Sequence, residues 1–70
     1  MQLLLKLFDI MKYSELKRWL RKEGCYCDHE GGNHEIWYSP KTGNKFPVGR
    51  HDSEEVRPNT LAAIRRQAGI

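Results

Sequence analysis

Gly24, Gly31-Gly32-Asn33 and Ser39-Pro40-Lys41-Thr42-Gly43-Asn44 cut the middle of this chain into short pieces. These residue types accept or enforce turn geometry, so such clusters punctuate regular structure. The pieces between them are shorter than ordinary helices and alternate as strands do. Cys25 to Glu30 puts Cys25, Cys27 and His29 on one face, with Tyr26 and Asp28 on the other. Gly31-Gly32-Asn33 follows as a turn of residues that tolerate positive φ. His34 to Tyr38 then puts His34, Ile36 and Tyr38 on one face, with Glu35 and Trp37 opposite. Lys45 to Val48 reads as a third strand, and Pro47, which lacks an N–H, predicts an edge position for it.

Helical patterns flank these strands. From Tyr13 to Glu23, Leu16, Trp19 and Leu20 form one apolar stripe, and Lys17, Arg18, Arg21 and Lys22 lie mostly off it. Ser14 or its neighbour is the expected cap, Glu15 suits the positive end of the dipole, and Gly24 sits where a C-terminal glycine belongs. Gly49 to Arg57 is a polar loop. Pro58 to Ala68 is the second helix, started by Pro58 or Asn59, with Leu61, Ile64 and Ala68 inward and Gly69 as its stop. The order is α-β-β-β-α. It predicts an α+β domain over residues 13–70, a three-stranded antiparallel sheet with two helices on one face. Residues 1–12 read as an extension of unknown role: an added strand or helix, a partner-contact arm, or an upstream start before Met11-Lys12.

With 70 residues the chain makes one domain with a limited core. Two cysteines do not make a secreted disulfide scaffold, and free thiols fit a reducing, cytoplasmic setting. No segment is long enough to span a membrane, and the apolar start (Leu3, Leu4, Leu5, Leu7, Phe8, Ile10) lacks the charged leading region and cleavage site of a signal peptide. The formal net charge of +3 mildly favours an anionic partner, a nucleic acid or an acidic protein.

Four constellations can carry chemistry. His34 opens a strand behind a glycine turn that lets another backbone approach, and an imidazole can take a proton from a ribose 2′-hydroxyl or return one to a leaving oxygen. On local grounds alone, a partly buried histidine capping a strand is the plainer reading. Arg50-His51 follows the third strand; Arg50 can hold a phosphate and His51 can assist proton transfer, or both can be a solvated loop. A zinc site from Cys25, Cys27, His29, His34 and His51 is disfavoured: the cysteines have a one-residue spacer where zinc sites use two, and strand alternation alone gives the Cys-x-Cys-x-His run. Finally, Lys41, Lys45, Arg50 and Arg57 can follow a phosphate backbone while Trp37 or Tyr38 stacks on a base. Only one of those two rings can face outward if the strand packs on helices. The runs Lys17 to Lys22 and Arg65-Arg66 read as solvated faces.

Taken in order, Ser14-Glu15-Leu16 and Gly24, Gly32-Asn33-His34, Val48-Gly49-Arg50-His51, and Pro58-Asn59-Thr60-Leu61 with Ile64 and Gln67-Ala68-Gly69-Ile70 resemble the HicA family of toxins from about Met11 to Ile70. No single motif is specific; their order and spacing are. The resemblance implies a double-stranded-RNA-binding-domain-like fold. It implies ribosome-independent endoribonuclease cleavage of mRNA, with His34 as the essential histidine, and a HicB-type antitoxin covering the active site. Gly32, Asn33, Lys41, Lys45, Arg50 and His51 are then the expected RNA contacts. The chain departs from the family at Gly49, where proline is usual, which predicts a looser loop before His51. No cofactor, metal or small-molecule substrate is expected. The rival readings are a non-catalytic RNA-binding module, which needs no special histidine, and a small protein-interaction domain, which would be indifferent to RNA at low salt.

Overall fold

The structure is a computed structural model, and it describes residues 11–70. The readings made for residues 1–10 lie outside the described residues. The elements run β1 (Met11–Lys12), α1 (Tyr13–Lys22), β2 (Tyr26–Glu30), β3 (His34–Tyr38), β4 (Lys45–Gly49), β5 (Glu55–Val56) and α2 (Pro58–Ala68). The α-β-β-β-α order is therefore present, as an α+β fold. β2, β3 and β4 form an antiparallel sheet in that order, with β3 central. Pro47 sits on an edge strand, where its missing N–H breaks no ladder.

Two short strands were not anticipated. Met11 and Lys12, grouped by sequence with the extension, pair antiparallel with Val56 and Glu55 inside the supposed polar loop. Two-residue strands carry too little periodicity to stand out in a sequence. Their pairing places the start of α1 beside the turn at residues 51–54. There, the carbonyls of Asp52 and Glu54 accept the free N–H groups of Ser14 and Tyr13, both at 3.0 Å. Ser14 is thus not the cap. Glu15 reaches back instead to accept the Lys12 N–H at 2.9 Å, half of a capping box. Gly24, at φ +93°, ends the helix as expected.

Both helices bury their stripes against one face of the sheet. Leu16 and Leu20 of α1 and Leu61, Ile64 and Ala68 of α2 close on Trp37, Phe46 and Val48. Each fully buried aliphatic or aromatic side chain contributes about 1.5–3 kcal/mol, so these few residues hold most of what a domain of this size can gather. The β3–β4 loop caps the end of α2: Ser39 Oγ donates to the Ala68 carbonyl at 2.6 Å and Thr42 Oγ1 to the Gln67 carbonyl at 2.6 Å. Ser39 is completely buried. Ser39→Ala strands a buried acceptor and is expected to cost about 1–3 kcal/mol, read as a lower urea midpoint with an unchanged slope.

One irregularity redirects side chains. A bulge between Cys27 and His29 pairs Cys27 with Trp37 but His29 with Ile36. His29 therefore leaves the face of Cys27, contrary to plain alternation, because the extra residue resets the period.

Candidate functional site

The far face of the sheet, away from the helices, carries His34, Ile36 and Tyr38 from β3 and, opposite them, Gly49, Pro47 and Lys45 from β4. The division of β3 between inner and outer faces is as read from the sequence. Trp37 is buried, under the Arg21 guanidinium at 5.3 Å, so Tyr38 is the outward ring of the two. It has a companion that sequence reasoning missed: Tyr26, half exposed, lies with its ring centre 5.5 Å from that of Tyr38. The register Tyr26↔Tyr38 would have revealed it, but the register depends on the bulge.

His34 is exposed at the start of β3. The turn before it is closed by Gly31, whose N–H donates to the His34 carbonyl at 2.8 Å. None of Gly31, Gly32 and Asn33 adopts positive φ, so the turn makes no use of the tolerance these residue types have. Glycine is required at 31 for a different reason. A β-carbon there would lie 2.8 Å from the His34 carbonyl oxygen, whereas one on Gly32 would meet nothing within 4 Å. Gly31 shapes the turn, and Gly32 with the exposed Asn33 leaves its outer side open.

Arg50 reaches this turn from the end of β4. Nη1 donates to the Gly32 carbonyl at 2.8 Å and Nη2 meets Glu30 Oε1 at 2.9 Å. A guanidinium has five N–H donors, so others stay available beside His34. Gly49 pairs with His34 across the sheet. It is a strand residue, not the start of a looser loop, and the reason for glycine is steric: Cζ of Tyr13 lies 2.8 Å from where its β-carbon would be. His51 follows, exposed, and its carbonyl accepts from the Glu54 N–H at 3.0 Å.

The other expected contacts lie elsewhere. Lys45 is four residues along β4 from Gly49, about 13 Å from the His34 end of the sheet. It pairs with Asp28 at 3.4 Å. The His29 imidazole and then Lys45 hold the Asp28 carboxyl below the usual carboxylate range. Lys41 is ion-paired with Glu23 near the end of α1. Arg57 is exposed at the start of α2. The structure thus brings Gly32, Asn33, His34, Arg50 and the His51 backbone to one end, and Lys41 and Lys45 to the other.

Neither cysteine is placed for thiolate chemistry. Cys25 is buried. Burial, then Glu35 and Glu30, push the Cys27 thiol up, which disfavours the nucleophilic form. Cys27 and His29, on different faces, do not converge on a metal.

One charged cluster was not anticipated from the sequence. Lys17, read as off the apolar stripe, is buried. Its ammonium donates to Asp52 Oδ1 at 2.6 Å and lies 3.2 Å from Glu35 Oε2, and Glu35 in turn accepts from Trp37 Nε1 at 2.9 Å. Burial works against the lysine charge, but the two carboxylates outweigh it and hold its pKa above the usual value. This cluster fastens α1 to β3 and to the turn that follows His51.

The family model described as the HicA toxin of bacterial toxin-antitoxin matches residues 13–70. No curated protein and no solved structure matches the chain.

Proposed function

Because the chain belongs to the HicA family of toxins of bacterial toxin–antitoxin systems, we propose that it is an endoribonuclease that cuts mRNA independently of the ribosome, with His34 as its proton-transfer group. Membership implies an antitoxin partner; we assign that partner to the HicB type and its seat to the His34 end of the sheet. The observation that supports the reading best is an exposed histidine behind an open glycine turn that an arginine clamps in place.

The chemistry is transesterification. His34 takes the proton of a ribose 2′-hydroxyl, and the 2′-oxygen forms a bond to the adjacent phosphorus. The P–O5′ bond breaks, and the departing O5′ takes a proton from water. The products are a 2′,3′-cyclic phosphate and a 5′-hydroxyl. Arg50, through N–H groups not used by Gly32 and Glu30, stabilises the charge that builds on the phosphate. His51 is the further candidate at this end. Lys45 is too distant to share in the reaction and, with Tyr26 and Tyr38, belongs to RNA binding, the rings stacking on bases. The steps use no metal. Among the described residues no helix is long and apolar enough to cross a membrane.

Purified protein is expected to cleave RNA equally well with and without a strong chelator of divalent cations, leaving cyclic-phosphate ends. Loss of cleavage in the chelator would defeat the metal-free chemistry. RNA binding without any cleavage would favour the non-catalytic module, which the Tyr26–Tyr38 pair also suits.

A further inference from the structure

Tyr13 opens α1, on the helical side of the molecule, yet the hydroxyl end of its ring reaches around the end of β4. Its Cζ, Cε1 and Cε2 lie 2.8, 3.1 and 3.1 Å from the position of a β-carbon on Gly49. Directly opposed residues on neighbouring strands point their β-carbons to the same face, about 4.5–5.5 Å apart. Gly49 is opposite His34. The phenol end of Tyr13 therefore lies on the His34 side of the sheet, its Cζ within about 8 Å of the His34 β-carbon.

The ring is held there firmly. The Tyr13 N–H is bound to the Glu54 carbonyl and the next N–H to the Asp52 carbonyl, and the ring packs against the core. Packing explains an aromatic ring at this position, and phenylalanine would supply it. It does not explain the hydroxyl, which has no hydrogen-bond partner among the described residues. The hydroxyl is a donor, it sits on the ring carbon nearest the Gly49 position opposite His34, and glycine is the one residue type at 49 that lets the ring approach.

We propose that Tyr13 is a further catalytic residue, its hydroxyl donating a hydrogen bond to a non-bridging oxygen of the scissile phosphate while His34 moves the proton. This rests on the reading of the chain as a His34-dependent ribonuclease. A donor fixed in advance at that oxygen gains strength as charge builds on it, so its removal acts on kcat. The residue transfers no proton in this role, and the balance of the reaction is unchanged.

The test is steady-state RNA cleavage by Tyr13→Phe, Gly49→Ala and the double variant, with His34→Ala measured in the same assay. Tyr13→Phe keeps the ring and is expected to keep the parent's thermal midpoint and KM while kcat falls about 10²-fold. Gly49→Ala pushes the ring aside and is expected to lower kcat in the parent but to add little to Tyr13→Phe, since both remove one contact. Unchanged kcat in Tyr13→Phe beside an inactive His34→Ala overturns the Tyr13 role and leaves the His34 reading standing. Fully additive losses, or a rise in KM alone, also overturn it. A His34→Ala protein as active as the parent overturns the underlying reading and the proposal with it.

Discussion

His34→Ala is expected to slow RNA cleavage by about 10²–10⁴-fold, the range a single general acid–base group supplies. The fold should survive the change. His34 is exposed, it makes no side-chain hydrogen bond among the described residues, and the turn before it is held by its backbone carbonyl, which alanine retains. Surface substitutions of this kind stay within about 0.5 kcal/mol in stability. RNA affinity should also be nearly unchanged, because Arg50, Lys45 and the two tyrosines are left in place. The informative pattern is lost cleavage with retained binding and an unchanged melting temperature. Measured in cells, the same variant should no longer arrest growth when expressed without its antitoxin. A variant that binds and still cuts at the parent's rate would remove His34 from the mechanism.

The elements with long periods were legible in the sequence, and the interactions that cross between them were not. Leu16, Trp19 and Leu20 announce α1, Pro58 to Gly69 bounds α2 almost to the residue, and the alternation around Trp37 sets the two faces of β3. These signals are local, repeated and tied to burial. The bulge at Cys27/His29 moved His29 to the other face, because one inserted residue inverts a two-residue period and leaves no mark in composition. The short β1–β5 pair was hidden because its partners are more than forty positions apart, and only their meeting explains both.

The site shows the same division. Gly32-Asn33-His34 could be picked out as a motif, and Arg50 was named for its chemistry, but their contact through the Gly32 carbonyl depends on the register of β3 with β4. Lys41 and Lys45 shared a charge with Arg50 and nothing else; distance and their carboxylate partners separate them. Gly49 was read as a departure that frees a loop. Packed against Tyr13, it is instead a place where a side chain from the far helix enters, and no local pattern could have revealed it.

Lys17→Met should produce the largest loss of stability among the changes considered. The stem of lysine fits the same space as methionine, so the variant removes the charge with little change in packing. What remains is Glu35, partly buried beside Trp37, with no cation, and Asp52, freed from α1. Breaking a well-buried pair costs about 3–5 kcal/mol; Asp52 is 64% exposed here, which lowers the expectation to about 2–4 kcal/mol. For a domain of this length that is a fall of about 15–25 °C in melting temperature. Lys17→Met combined with Glu35→Gln should recover part of the loss, since the stranded carboxylate is then neutral.

The pH dependence follows from the same pair. The Lys17 hydrogen bond and charge hold the Asp52 pKa below the usual aspartate value, so the contact contributes stability above that value and loses it as pH falls through the lower folded one. Lys17 is shifted the other way: its contribution is complete below about 10.5 and lost as pH rises through its higher folded value. The difference in melting temperature between parent and Lys17→Met should therefore be full at pH 7 and shrink below about pH 4. An equal difference at pH 7 and pH 3 would mean that lost packing, not the ion pair, is responsible. Cleavage at pH 7 should fall as well, at temperatures where the variant is folded. The 51–54 turn that Lys17 anchors also sets Tyr13 against Gly49, so the clamp links the stability of α1 to the geometry of the His34 end of the sheet.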